Sequence, residues 1–265
     1  MADEAQQQLL TDVKSIRDAE DFSDLAIKCC DDTYSVHKVI VCCRSTMLAK
    51  AIKFPGKGAE DKTIDLSDNE PAVVRLLVQY LYEAEYDPVL PTVKTGPSNA
   101  IPLQTISHSC ARNANGYHCI KGNGQQNRRV CPHHTCGNSC EWNCNDFWCM
   151  DCFTVGDAEQ LLLHAKMYEI ADKYDVAGLK NLCIEKYKRA CRKFWDDPKF
   201  AESAHHVYCT TPSRDKGLRN IVTKTLSDHM SLLEKPGIED LMTEFNGLAF
   251  GLLFDKAKQS GWCNK

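Results

Sequence analysis

The chain has no apolar run long enough to cross a bilayer. A spanning helix needs about 20 consecutive apolar residues, and no stretch of the 265 residues approaches that. It also lacks a basic excess. Thirty-two Lys and Arg face 36 Asp and Glu, for a formal charge of −4. No positive field therefore points to nucleic acid or to an anionic membrane. With 14 Gly and 10 Pro, both residues are sparse, which excludes collagen-like and low-complexity classes. The opening MADEAQQQLL has neither a basic start nor an apolar stretch, so no secretory leader is expected. P-loop, GxGxxG, HExxH, GxSxG and kinase signatures are all missing, so no enzymatic activity is expected. The expectation is an intracellular protein, cytoplasmic or nuclear, with no membrane partner.

Cysteine is abundant: 16 residues, 8 of them between positions 89 and 156. In a reducing compartment such content points to metal ligands and buried thiols rather than to disulfides. Four of the nine His fall in the same segment. It is punctuated by Pro91, Gly96, Pro97, Pro102, Gly116, Gly122 and Gly124, shows little periodicity, and reads as a loop-like insert. Its net charge of +2 is too small to attract phosphates strongly.

The flanks are regular. Leu9, Leu10, Val13 and Ile16 form one helical stripe. DLAIKC (24–29) and TYSV (33–36) alternate about Asp31-Asp32 as strand, turn and strand. HKVIVCCRS and TMLAKAI form two short helical segments, and KTIDL a strand. A helix beginning near Pro71 buries Val73, Val74, Leu76, Leu77, Tyr80 and Leu81, with Ser67 and Asp68 as expected caps. After the insert, Leu161 to Ala171 and Leu179 to Tyr187 supply two more helices. The last third reads as all helical, with Pro212 expected in the first turn of one helix.

The ordered series DFSDLAIKCCDDTYSVHKVIVCCRSTMLAKAI, then TIDLSDNEPAVVRLLVQYLYEAEYDP, resembles a BTB/POZ domain. LLLHAKMYEIADKYDVAGLKNLCIEKY resembles its last helical pair, and TTPSRDKGLRNIVTKTLSDH the helical extension of fungal BTB proteins. The resemblance implies an α+β fold, a small β-sheet flanked by short α-helices. An irregular Cys/His-rich insert and an all-helical C-terminal extension complete it. The boundaries are an N-terminal helix at 1–20, BTB/POZ parts at 21–88 and 157–195, the insert at 89–156 and the extension at 196–265.

The same resemblance implies a non-enzymatic protein–protein interaction module, commonly a homodimer joined through the N-terminal helix, here Leu9, Leu10, Val13 and Ile16. Two alternatives stand beside it: a substrate adaptor for a cullin-based ubiquitin ligase, and a transcription regulator using the insert. The apolar–x–Glu element of cullin adaptors is missing or displaced in FPGKGAED (54–61). The resemblance gives Asp24 and His37 structural roles, holding the hairpin against a helix.

The insert is where ligand chemistry is expected. Zinc takes thiolate and imidazole ligands, often as C-x2–4-C pairs. Cys136-x3-Cys140 and Cys149-x2-Cys152 fit one four-thiolate site. Cys110, Cys119, Cys131 and His133 fit a second, with His108, His118 or His134 as substitutes. One or two zinc ions, a loop with no shared ligand, and disulfides remain open readings. Cys29, Cys30, Cys42 and Cys43 lie in apolar segments and read as packing residues, as do Cys183 and Cys191. His205-His206 has only Cys209 nearby and is not expected to hold metal.

Overall fold

The computed structural model describes residues 2–53, 62–90, 108–113, 116–121 and 156–262. The chain divides into two compact units: Met1–Val89 with Asp157–Lys265, and Leu90–Gly156.

In the first unit, helix α1 (Ala2–Ala19) precedes a hairpin of β1 (Leu25–Cys29) and β2 (Asp32–Val36). Leu25, Ile27 and Cys29 point inward and Lys28 outward, the period-2 pattern that fixes register. Ile27 pairs with Tyr34 and Cys29 with Asp32. At the turn, Cys30 has φ 54, a left-handed conformation, and its N–H donates to Ser67 Oγ at 3.0 Å. β3 (Thr63–Asp65) pairs parallel with β1, giving the order β2-β1-β3. A parallel pair needs a crossover, and helices α2 (Lys38–Arg44) and α3 (Thr46–Lys53) lie within it.

Helix α4 (Pro71–Glu83) starts with proline at a position whose N–H would be unpaired anyway, and ends at Ala84 in the left-handed region. Its Val74, Leu77 and Leu81 are fully buried. Glu70, not Ser67 or Asp68, is the N-cap residue, and no side chain caps this helix. Ser67 is instead engaged with Asp65, 2.5 Å from its carboxylate, and with the hairpin turn.

Helices α5 (Glu159–Lys173) and α6 (Ala177–Phe194) form the broadest helix pair, joined through Asp175 at φ 53. A Cβ on Gly178 would lie 2.4 Å from Tyr80 Oη, so glycine lets α6 approach α4. Helix α7 (Lys199–Thr210) packs on α5 and α8 (Gly217–Asp228) on α6. After a 3-10 turn at Met230–Glu234, α9 (Pro236–Glu244) packs on α7, and α10 (Asn246–Gln259) on α8. Phe200, Val207, Val222, Leu226 and Leu248 join the same apolar core as Ile27, Leu77 and Leu161. The C-terminal helices thus extend the core instead of forming a second one. Pro212 does not open a helix. It sits between Thr211, which ends α7, and α8, which begins at Gly217.

In the second unit, β4 (His108–Asn113) and β5 (Gly116–Lys121) form an antiparallel hairpin. A loop-like reading of this segment missed it, because its apolar residues do not alternate clearly. Cys110 stands opposite Cys119, and Ala111 opposite His118.

Candidate functional site

Helix α1 is tied to α4 and leaves much of its apolar stripe exposed. Val13 is partly buried against the core. Arg17 Nη1 lies 2.6 Å from Glu83 Oε1 and Lys14 Nζ 3.2 Å from Glu83 Oε2, tying α1 to the end of α4. Leu9, Leu10 and Ile16 remain exposed, Leu9 at 62%. Within the one stripe Val13 is partly buried, whereas Leu9, Leu10 and Ile16 stay exposed, the last two at 39% each. Phe22, just after α1, is 91% exposed. Beside the anchored side, α1, β2 and α4 line a polar cleft of about 470 Å3 with Lys14, Arg17, Tyr34, Arg75, Glu83 and Asp87. A second exposed apolar group lies on α10, where Phe250 and Phe254 stack with centroids 6.1 Å apart beside Leu253.

Asp24 and His37 do not pair with each other in an acid–base arrangement. Asp24 Oδ1 accepts the Lys38 N–H at 2.7 Å and so caps α2 from the strand side. His37 is buried, and its Nε2 lies 2.6 Å from the Asp21 carbonyl. A carbonyl only accepts, so Nε2 carries the proton. Nδ1 then accepts from Tyr82 Oη at 2.7 Å, while the His37 N–H donates to the same oxygen. Together the two residues join the end of α1, the hairpin, α2 and α4.

A buried polar network that sequence reasoning missed lies where α4 gives way to residues 85–88. Lys186, 2% exposed, reaches from α6 to Glu85 Oε1 at 2.5 Å, to the Pro88 carbonyl at 2.7 Å and to the Tyr86 carbonyl. Tyr86 Oη lies 3.0 Å from His164 Nδ1 and 3.4 Å from Cys183 Sγ. Burial, with the Lys186 charge nearby, lowers the His164 pKa to about 3, and burial pushes the Cys183 thiol up to about 12. Neither is set up for acid–base or nucleophilic work near neutral pH. Only one signal was available in advance: charged Lys186 in the helical register of Leu182, Cys183 and Ala190.

Of the cysteines read as packing residues, Cys29, Cys183 and Cys191 are buried and Cys42 is half-buried, whereas Cys30 and Cys43 are exposed. Cys30 is turned out by its place in the turn. Cys110 and Cys119 lie in the hairpin backbone. Cys131, His133, Cys136, Cys140, Cys149 and Cys152 lie outside the described residues, as do 54–61.

The described residues of the first unit present exposed apolar and polar surfaces on one shared apolar core. Residues 13–95 match the family model of the BTB/POZ domain. The chain carries a BTB/POZ domain. The match begins in α1 and runs through the hairpin, α2, α3, β3 and α4. No curated protein matches the chain. A BTB/POZ domain is a protein–protein interaction module of a family that is generally non-enzymatic. Among the described residues, no helix is long and apolar enough to cross a membrane.

Proposed function

We propose that this chain is a homodimeric BTB/POZ interaction module whose α1 surface joins two copies. The observation that carries this reading is the division of the α1 stripe. Val13 and the Glu83 ion pairs fix the helix, while Leu9, Leu10 and Ile16 are left in water. A helix anchored in this way presents its free apolar side at little further cost in ordering entropy. Light scattering of the full chain tests it, with a Leu9→Asp/Ile16→Asp double variant as comparison. A dimer that becomes a monomer in the variant is expected. A monomeric wild type overturns the reading.

The Cys/His-rich segment is proposed to hold zinc, one ion on Cys136, Cys140, Cys149 and Cys152, with Cys110, Cys119, Cys131 and His133 as ligands of a second. The argument is the C-x2–4-C spacing and the Cys110–Cys119 pairing across the β4–β5 hairpin. Metal would offset the ordering entropy of a segment poor in apolar residues. Cys149→Ser is expected to lower zinc per chain by about one equivalent, and Cys42→Ser to leave it unchanged. Equal zinc in all three proteins contradicts the first site. No described feature favours the cullin-adaptor reading over the dimer. A pull-down with a cullin scaffold separates the two.

A further inference from the structure

We infer that His205, Cys209 and Glu244 form a zinc-class metal site that staples α7 to α9 in the C-terminal extension. His205 and Cys209 stand four residues apart on α7 and so share one face of that helix. Glu244, the last residue of α9, is brought alongside by the packing of α9 on α7. One ligand atom from each of the three residues lies within 4.8 Å of the others.

The separations lie within a few tenths of an ångström of coordination edges, with His205 and Glu244 at hydrogen-bond distance in the metal-free form. Zinc bonds of about 2.0–2.1 Å to nitrogen, 2.0–2.2 Å to oxygen and 2.3 Å to sulfur, opened to the tetrahedral angle, place nitrogen and oxygen about 3.4 Å apart. The same geometry places nitrogen and sulfur about 3.6 Å apart. Here His205 Nε2 lies 3.0 Å from Glu244 Oε2 and 3.8 Å from Cys209 Sγ. Sγ is also 3.6 Å from Nδ1, so it sits toward the side of the ring and would have to shift toward Nε2 on binding metal. The Cys209 side chain is exposed, so a metal ion can reach it from solvent. The Phe245 ring meets His205 edge to face, with centroids 5.7 Å apart, and limits where the imidazole swings.

The donor set is informative. One imidazole, one thiol and one carboxylate suit a borderline divalent ion such as zinc, and poorly suit magnesium or calcium, which take oxygen ligands. The metal ligand is the thiolate, so Cys209 must give up its thiol proton. On binding, its proton leaves to water and the cation neutralises thiolate and carboxylate together. Three protein ligands leave a fourth position open to water.

The test uses the full chain, loaded with zinc and dialysed, with zinc per chain read for wild type, His205→Ala, Cys209→Ser and Glu244→Gln. All three positions are exposed, so the variants keep the fold. His205→Ala and Cys209→Ser are each expected to lose about one equivalent, and Glu244→Gln to bind at least about tenfold more weakly. Cys149→Ser, in the other unit, leaves this equivalent in place, so failure of this site is distinguishable from failure of the site in the insert. Equal zinc in wild type, His205→Ala and Cys209→Ser overturns the inference.

Discussion

His164 with Cys183 and His205 with Cys209 are the same pair of residue types under opposite conditions. The first pair lies inside the core around Tyr86 and Lys186, the second on the surface of α7. Burial holds His164 neutral and Cys183 protonated, with pKa values of about 3 and about 12, so the inner pair can only pack and hydrogen-bond. The outer pair keeps solvent access and gains a carboxylate neighbour. Residue type alone therefore does not mark a site. What decides is whether the charged or metal-bound form can be solvated or compensated.

The largest effect should come from breaking the inner arrangement at its cation. Lys186→Ala removes the partner of Glu85 and of the Tyr86 and Pro88 carbonyls. The two carbonyls lose a charged donor in the interior and a cavity is left where the 2%-exposed side chain lay; losing such a hydrogen bond costs about 1–3 kcal/mol, so the urea midpoint should fall sharply. An unchanged midpoint would mean that the network is not closed in solution.

Gly217→Ala comes next. Its Cβ would sit 2.2 Å from Tyr168 Oη, which donates to Asp215 Oδ1 at 2.7 Å while Lys180 holds the other carboxylate oxygen. Overpacking of this kind costs about 1–3 kcal/mol. In a Tyr168→Phe background the hydroxyl is gone, and the cost should shrink. Equal costs in both backgrounds would place the strain elsewhere.

The buried imidazole also makes stability depend on pH. With its pKa lowered from 6.5 to about 3, His164 binds fewer protons in the folded state than in the unfolded one across that window. Its contribution is fully present above pH 6.5 and is lost as pH falls toward 3. The slope is up to about 1.4 kcal/mol per pH unit. His206, also lowered by burial, acts in the same direction. Denaturant midpoints between pH 7 and 5 should fall more steeply in wild type than in His164→Gln. Parallel lines would show that His164 protonates freely in the fold.

Most of the first unit was legible in the sequence, because apolar periodicity reports burial directly. The stripes of α4, α5 and α6, the hairpin and β3 all lie where Val73 to Leu81, Leu161 to Ala171, Leu179 to Tyr187, Leu25 to Val36 and KTIDL place them, whereas the parallel pairing of β3 with β1 was not legible. Pairwise features were harder to read. The start of α8 moved to Gly217 because Asp215 accepts that residue's N–H at 3.0 Å, a local bond that outweighs the preference of Pro212 for a first turn. The Lys186 network joins positions about 100 residues apart. Glu244 is 39 residues from His205, which is why His205-His206 with Cys209 did not look like a ligand set. Asp24 and His37 were recognisable through the family resemblance, but not their partners Lys38 N–H, Asp21 and Tyr82.

The smallest effect on stability, and the most direct test of the account, concerns the open side of α1. In a single copy Leu9 and Ile16 are exposed, so Leu9→Asp with Ile16→Asp should change the stability of the folded monomer by only about 0.5 kcal/mol or less per site. The decisive measurement is the mass of the full chain by light scattering at tens of micromolar, roughly the range in which a modest dimer populates. Wild type is expected to be a dimer and the double variant a folded monomer. A wild-type monomer, or a variant that stays dimeric, would contradict it.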